Sequence, residues 1–271
     1  LIYLVMGELI MSGSTWISID FDDYRHLPKY SGHPTRSKKT HQTSDNKELS
    51  ADFLKGLMGL EKWLNSNEHP VTFFIIADLF ENATFAKWLH KILTQFSQRV
   101  TVGNHGLTHR SWSAWPQDTE GFDNALAESN RILLQQCGDN LRPWFRAPAG
   151  YIAPWMAPIL AKNGFKIDSS VNPSWLVKRK AGKTKSWAQV VQSMNDNKII
   201  EIVWKTKWTL PINGPALHLP ILKVIANSSW KSSPEIDSLD NCLKHNRQVT
   251  ALYWHLLDHA RKDTTWSPPL P

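Results

Sequence analysis

The sequence predicts an α/β protein: one domain on a parallel sheet, most simply a barrel of about seven strands with helices outside. Seven short β-type runs recur along the chain, several nearly continuous in apolar residues, as strands buried on both faces are. Segments with apolar residues at helical spacing separate them. The bulk agrees, since 271 residues with 41% hydrophobic and 20% charged content can bury one sizeable core and are unlike a disordered chain. A doubly wound open sheet is the alternative arrangement of the same elements.

In order, the strand runs are "WISID" (16–20), "VTFFII" (71–76), "RVTVG" (99–103), "PWFRA" (143–147), "FKIDSS" (165–170), "KIIEIVW" (198–204) and "QVTALYW" (248–254). The first long helix is expected over "ELSADFLKGLMGLEKWLNSN", where Leu54, Leu57, Met58, Leu60 and Leu64 keep helical period. "TFAKWLHKILTQF" and "DNALAESNRILLQQCG" repeat the pattern, the second closing on Gly138. "PWMAPILAKNG" and "PEIDSLDNCLKHN" place proline in or near a first turn. Residues 205–234, mixed in Trp, Pro, Gly and Ser, read as a long loop of the kind that shapes a cleft. No repeat or linker divides the chain, so 15–260 reads as a single barrel. Residues 1–14 read as an N-terminal extension, foreign to the domain on one reading because Met11 offers a natural start. Residues 261–271, ending "TTWSPPLP", read as an extended, poorly ordered tail.

Composition narrows the class of function. No run reaches the roughly 18 apolar residues of a membrane span, and "LIYLVMGELIM" lacks the basic flank and cleavage site of a signal peptide. With only Cys137 and Cys242 no disulfide framework is indicated, so a cytoplasmic setting is expected rather than a secreted one. The net charge of +7 concentrates at "RSKKTH" (36–41) and "VKRKAGKTK" (177–185), which read as solvated surface or as contacts for an anionic substrate. No nucleic-acid motif accompanies the charge, and no nucleic-acid partner is expected. Fourteen tryptophans suit a flat or ringed ligand as well as they suit a core.

The unusual polar residues fall at carboxyl ends of strands. Asp20, Asp22 and Asp23 close the first run, and His105 and His109 follow the third in "GNHGLTHRSW". Arg146 ends the fourth, Asp168 the fifth, and His255 follows the seventh. In parallel α/β folds those ends converge on one face, where active sites are built. Histidines four apart share a side if they lie in a helical turn. With one carboxylate they would hold a divalent ion and leave positions open for water and substrate. Such a cation would also answer the crowding of three acids in four positions.

"IDFDD", "HGLTH", "RAPAG", "IDSS" and "LYWH", in this order, resemble the five motifs of the polysaccharide deacetylases, carbohydrate esterase family 4, over roughly residues 15 to 258. The resemblance implies a distorted seven-stranded barrel, TIM-barrel-like, and metal-dependent hydrolysis of an N-acyl group, usually acetyl, from an amino sugar. The usual first motif, Thr-Phe-Asp-Asp-Gly, would make Asp22 the base and Asp23 the ligand. Relatives with Asp-x-Asp, deformylases of a lipid-linked aminoarabinose among them, would make Asp20 the base and Asp22 the ligand. Residues two apart on a strand share a face, which leans to Asp20 and Asp22; both assignments stay open. Gly106 stands where the family commonly has Ser or Thr.

The resemblance further implies Asp22, His105 and His109 as metal ligands, with zinc the first expectation and cobalt, nickel or manganese as alternatives. Arg146 would hold Asp20, and His255 would protonate the departing amine, oriented by Asp168. A backbone N–H near Ala149 would meet the oxyanion, with Tyr151 and Trp254 as substrate contacts; Trp112, Trp115 and Trp144 are further candidates for stacking on sugars. The substrate is then a carbohydrate, polymeric or lipid-linked. A non-catalytic sugar- or lipid-binding barrel and a deformylase or other amidase of the family are the alternatives. Acyl group, ion and oligomeric state are left open.

Overall fold

The computed structural model describes residues 13–37 and 48–271; the apolar segment 1–12 and most of "RSKKTH" lie outside the described residues. The sheet strands are β1 (Ser14–Asp20), β2 (Val71–Ile75), β3 (Val100–Asn104), β4 (Leu141–Phe145), β5 (Ile167–Asp168), β6 (Ile200–Glu201) and β9 (Val249–His255), with β7 (Thr206–Lys207) and β8 (Leu210–Pro211) forming a separate hairpin. All seven runs picked from the sequence become strands of one parallel sheet, in the order β6-β5-β4-β3-β2-β1-β9. Successive strands are neighbours throughout, with no reversal of order, so the doubly wound alternative falls. The sheet curls until its ends meet, Trp204 bridging to Ala251 and its follower Lys205 donating to the Ala251 carbonyl at 3.2 Å. This is a distorted (β/α)7 barrel.

The helices are α1 (Pro28–Ser31), α2 (Ala51–Ser66), α3 (Ala83–Gln95), α4 (Thr119–Cys137), α5 (Ala157–Lys162), α6 (Trp187–Asp196), α7 (Pro220–Lys231) and α8 (Leu239–Lys244). Ser50 caps α2 through the Phe53 N–H, and Asn82 and Asp118 cap α3 and α4. The stretch 205–234 is not one loop: it holds the β7–β8 hairpin and α7, whose Trp230 is fully buried. Its Pro and Gly mark the entry to the helix, and tertiary packing of Ala226 and Trp230 supplies what local pattern did not. "PEIDSLDNCLKHN" turns helical only from Leu239, capped by Ser238. The tail is not loose either, because Trp266 and Leu270 pack against the main core.

Alternation along the strands decides what faces where. Ile17, Ile19, Phe21, Phe73, Ile75, Leu252 and Trp254 join α2 and α3 in the core outside the barrel. Trp16, Phe74, Trp144, Trp204 and Tyr253 form another cluster, filling the barrel interior.

Candidate active site

Strand β1 and the two residues after it run Trp16-Ile17-Ser18-Ile19-Asp20-Phe21-Asp22, with Ile17, Ile19 and Phe21 in the outer core, so Asp20 and Asp22 emerge together on the inner side. Asp20 meets Arg146, whose Nη1 donates to Asp20 Oδ1 at 2.6 Å. The guanidinium is fully buried, with Nε donating to the Ser169 carbonyl at 2.9 Å and the rings of Phe74 and Tyr253 at 4.1 and 5.0 Å. A cation held by aromatic faces and one carboxylate has little freedom to move, and neither has its partner.

Asp22 faces the histidines. Nε2 of His105 and of His109 each lie 3.3 Å from Asp22 Oδ1. Both Nδ1 atoms face backbone carbonyls, of Arg146 at 2.8 Å and of His26 at 2.7 Å. A carbonyl only accepts, so each Nδ1 carries a proton and each neutral ring turns a bare Nε2 lone pair inward. Asp22 Oδ1 and both Nε2 atoms are buried without a hydrogen-bond partner. Three acceptors facing one another repel unless a cation lies between them or a ring is protonated. Burial alone would push Asp22 up and His105 down. With no ion between them, protonated rings would resolve the clash: the charge of His109 and hydrogen bonds from both rings would hold Asp22 well below the usual carboxylate range, and Asp20 and Asp22 would lift His105 above the usual imidazole. Among the described residues these three form the only such cluster of potential ligand atoms, all within 4.8 Å of one another. The donor set of two imidazole nitrogens and one carboxylate fits a divalent ion of the zinc type, with room for further ligands.

The helical turn expected to align the histidines is absent. Residues 105–109 are a loop that passes through the left-handed region at Gly106 (φ 87°) and His109 (φ 58°). A side chain at 106 would be strained there and would meet Pro148 Cγ at 3.2 Å, so the glycine reflects backbone geometry. The Asn104 side chain closes the turn, accepting from the Gly106 N–H at 2.7 Å.

Asp23 points elsewhere. It accepts from the Tyr24 N–H at 2.6 Å and from the Ser50 N–H and hydroxyl at 2.8 and 2.5 Å, tying β1 to the start of α2. Its N–H donates to His26 Nδ1, which leaves His26 Nε2–H for Asp78 at 3.0 Å. That chain fixes the carbonyl on which His109 rests, the outer support a metal-binding imidazole needs. His26 and Asp78 were missed from the sequence, although Asp78 lies just past the carboxyl end of β2, where such residues gather.

His255 Nε2 lies 4.0 Å from Asp22 Oδ2, at the mouth of a cleft of about 580 Å³ that His218, Asp258 and Arg261 also line. The carboxylate beside it is Asp258, which accepts from the His255 N–H at 3.1 Å and lies 2.7 Å from His218 Nε2. Asp168, assigned this orienting role from the sequence, is instead paired with Glu201 and accepts from the Ser170 hydroxyl at 2.7 Å. Burial first, then the charge and hydrogen bond of Asp168, pushes Glu201 well above the carboxylate range, and burial raises Asp168 too. One proton shared by two buried acids accounts for both. Ser170 in turn accepts from the Ala147 N–H at 2.7 Å, so the pair braces the turn that carries Ala149.

Ala149 sits in that turn at φ 50°, its carbonyl receiving Lys180 Nζ at 2.7 Å. Tyr151 is buried against His33, its hydroxyl without a partner among the described residues. Trp254 cannot touch a substrate. It is fully buried in the outer core against Trp63 and Trp230, because the neighbour of an inward residue on a strand points outward. Trp144 is likewise buried in the barrel interior, and Trp112 packs on Phe122. Trp115, half-buried, lies under the Arg110 guanidinium at 5.0 Å.

A family model described as polysaccharide deacetylase matches residues 35–167, which include His105, His109 and Arg146. No curated protein matches the chain. Among solved structures, a Mycobacterium smegmatis protein provisionally assigned as a polysaccharide deacetylase aligns with a TM-score of 0.58 at 14% identity, over 94% of this chain and 80% of its own. A chitin deacetylase from the fungal pathogen Colletotrichum lindemuthianum aligns at 0.40 and 11% identity, over 72% and 86%. At such identities the first likeness concerns the fold alone, and the second carries no weight. Residues 35–167 thus match the polysaccharide deacetylase family, the same family whose motifs the sequence resembles.

Proposed function

We propose that the protein is a metal-dependent hydrolase that removes an N-acyl group, acetyl before formyl, from an amino sugar of a polysaccharide or a lipid-linked glycan. The observation that carries this reading is the convergence of three buried, unpartnered acceptors, Asp22 Oδ1, His105 Nε2 and His109 Nε2. Asp22, His105 and His109 would hold the ion, zinc first. When bound it polarises the acyl carbonyl and acidifies water.

The chain's own residues supply the rest. Asp20, fixed by Arg146 and exposed at only 3%, accepts the proton of the attacking water. Asp23 is unsuited to the ligand role, since Tyr24 and Ser50 occupy its oxygens. A backbone N–H near Ala149 meets the oxyanion. His255, on the cleft side of Asp22, gives a proton to the amine as the C–N bond breaks, since an amine anion is too poor a leaving group. His255 is held through its backbone by Asp258. The cleft mouth, with Tyr24, Leu27 and Leu257 among its walls, offers apolar faces for a sugar ring.

The test is elemental analysis of the purified protein, paired with measurement of acetate and formate released from acylated amino-sugar oligomers. One equivalent of divalent metal, lost together with acyl release in His105→Ala and His109→Ala, is the expected result. Release that persists in metal-free protein would end the reading, and tight glycan binding with no acid released would mark a binding module instead.

A further inference from the structure

A second cavity, about 440 Å³, opens beside the catalytic cleft and shares two walls with it, His218 and Arg261. Its other walls include Lys223, Asn227, Lys262 and Trp266, and no Asp or Glu lines it. The cleft contrasts with it, being lined by Asp22, Asp52 and Asp258. Charge is thus separated along one continuous depression, acids at the reacting end and cations next door. The counter-charge at the boundary is Asp258, which lies 2.7 Å from His218 Nε2 and accepts from the Nε of Arg261 at 3.4 Å. Lys223 comes from α7 and Lys262 from the turn that follows Arg261, so two separate segments bring cations to the lining of one cavity.

The Lys262 wall is held in a costly shape. Lys262, Asp263 and Thr264 stand consecutively at φ 51°, 50° and 66°, a left-handed turn that residues with side chains avoid. Lys62 on α2 holds it by donating to the Thr264 hydroxyl at 2.6 Å. Backbone kept in such a conformation commonly serves a site. The Trp266 ring, 5.6 Å from His218, adds a face on which a sugar can stack.

We propose that this cavity is a subsite for an anionic sugar, so that the substrate is a glycan whose acylated amino sugar adjoins a residue bearing a carboxylate or a phosphate ester. The substrate half of this statement rests on the hydrolase reading above; the anion site does not. Calorimetric titration of glucuronate and of inorganic phosphate tests it directly. Wild-type protein binds at least one of them, and the anion preferred tells carboxylate from phosphate. Lys223→Gln/Lys262→Gln loses that binding, while Lys223→Arg/Lys262→Arg keeps it. In turnover, the Gln pair raises KM about tenfold for an oligomer carrying the preferred anion and leaves a neutral N-acetylglucosamine oligomer unchanged, an effect that added salt also produces by screening. No anion binding by the wild type, or equal change on charged and neutral oligomers, overturns the proposal. Anion binding at the lysines with no turnover of either oligomer would sink the hydrolase reading and leave the anion site standing.

Discussion

Replacing Arg146 by Met should separate the structural role of the Asp20 pair from its chemical one. Side chains of Arg146 and Asp20 are 1% and 5% exposed and 2.6 Å apart, so at an effective dielectric of about 20 their gross attraction is roughly 6 kcal/mol. Desolvation consumes much of that. What the variant reveals is the cost of leaving Asp20 charged and alone in an aromatic pocket, about 3–5 kcal/mol. Against a domain stability of about 5–15 kcal/mol that is a large loss. The matched variant Asp20→Asn/Arg146→Met leaves no buried charge unpaired and should recover about 2 kcal/mol or more relative to the single change. Urea unfolding measures both, and acyl release from an oligomer is followed in parallel. The double variant should be folded and inactive, because the base is gone. Two results would refute the reasoning: a penalty under about 1 kcal/mol for Arg146→Met, or a double variant whose losses simply add.

Stripping divalent ions with a chelator should lower Tm, and restoring zinc at about 1,000 times its Kd should return about 4 kcal/mol; no shift in a thermal scan would mean the three acceptors hold nothing. Glu201→Gln should flatten the stability profile above pH 4.5. In the wild type the folded pair keeps a proton that the unfolded chain releases near that value, so stability falls as pH rises toward the elevated folded value, by up to about 1.4 kcal/mol per pH unit. The amide oxygen can still accept from Val171 N–H, so an unchanged slope in urea titrations at pH 5 and 8 would disprove the shared proton. Gly106→Ser should cost about 1–2 kcal/mol and weaken metal binding, because φ 87° is strained for serine and Pro148 is in the way; a silent variant in calorimetric zinc titration would count against that loop as the support of His105.

Much of the barrel was legible because its strands are buried on both faces and so are written as apolar runs with aromatic and β-branched residues. β5 and β6 show the limit: each keeps two paired residues although the apolar run is longer. The helix α7 was hidden for a different reason. Leu219 just before it and Ile221 and Val224 on its first turns are exposed, so its apolar residues do not trace one buried stripe, and proline and glycine before it suggested a loop. The tail misled in the same way, since a stretch rich in proline looked loose until Trp266 and Leu270 found the core.

The site was legible to the extent that strand geometry decides it. Asp-x-Asp at the end of β1 must put two carboxylates on one face and Phe21 on the other, and the same alternation that brings His255 inward sends Trp254 out. Reading Trp254 as a sugar platform ignored that rule. What sequence spacing could not supply are contacts between distant segments. Asp258 lies three residues after His255, but its partner His218 comes from a stretch with no visible period, and Asp168 meets Glu201 only because β5 and β6 pair in register. Burial then makes each such meeting consequential. Two acids in water would have ionised separately, whereas these share a proton and brace the turn that carries Ala149. The histidines follow the same logic: it is a glycine in a left-handed turn and two backbone carbonyls, not helical spacing, that aim their Nε2 atoms at Asp22.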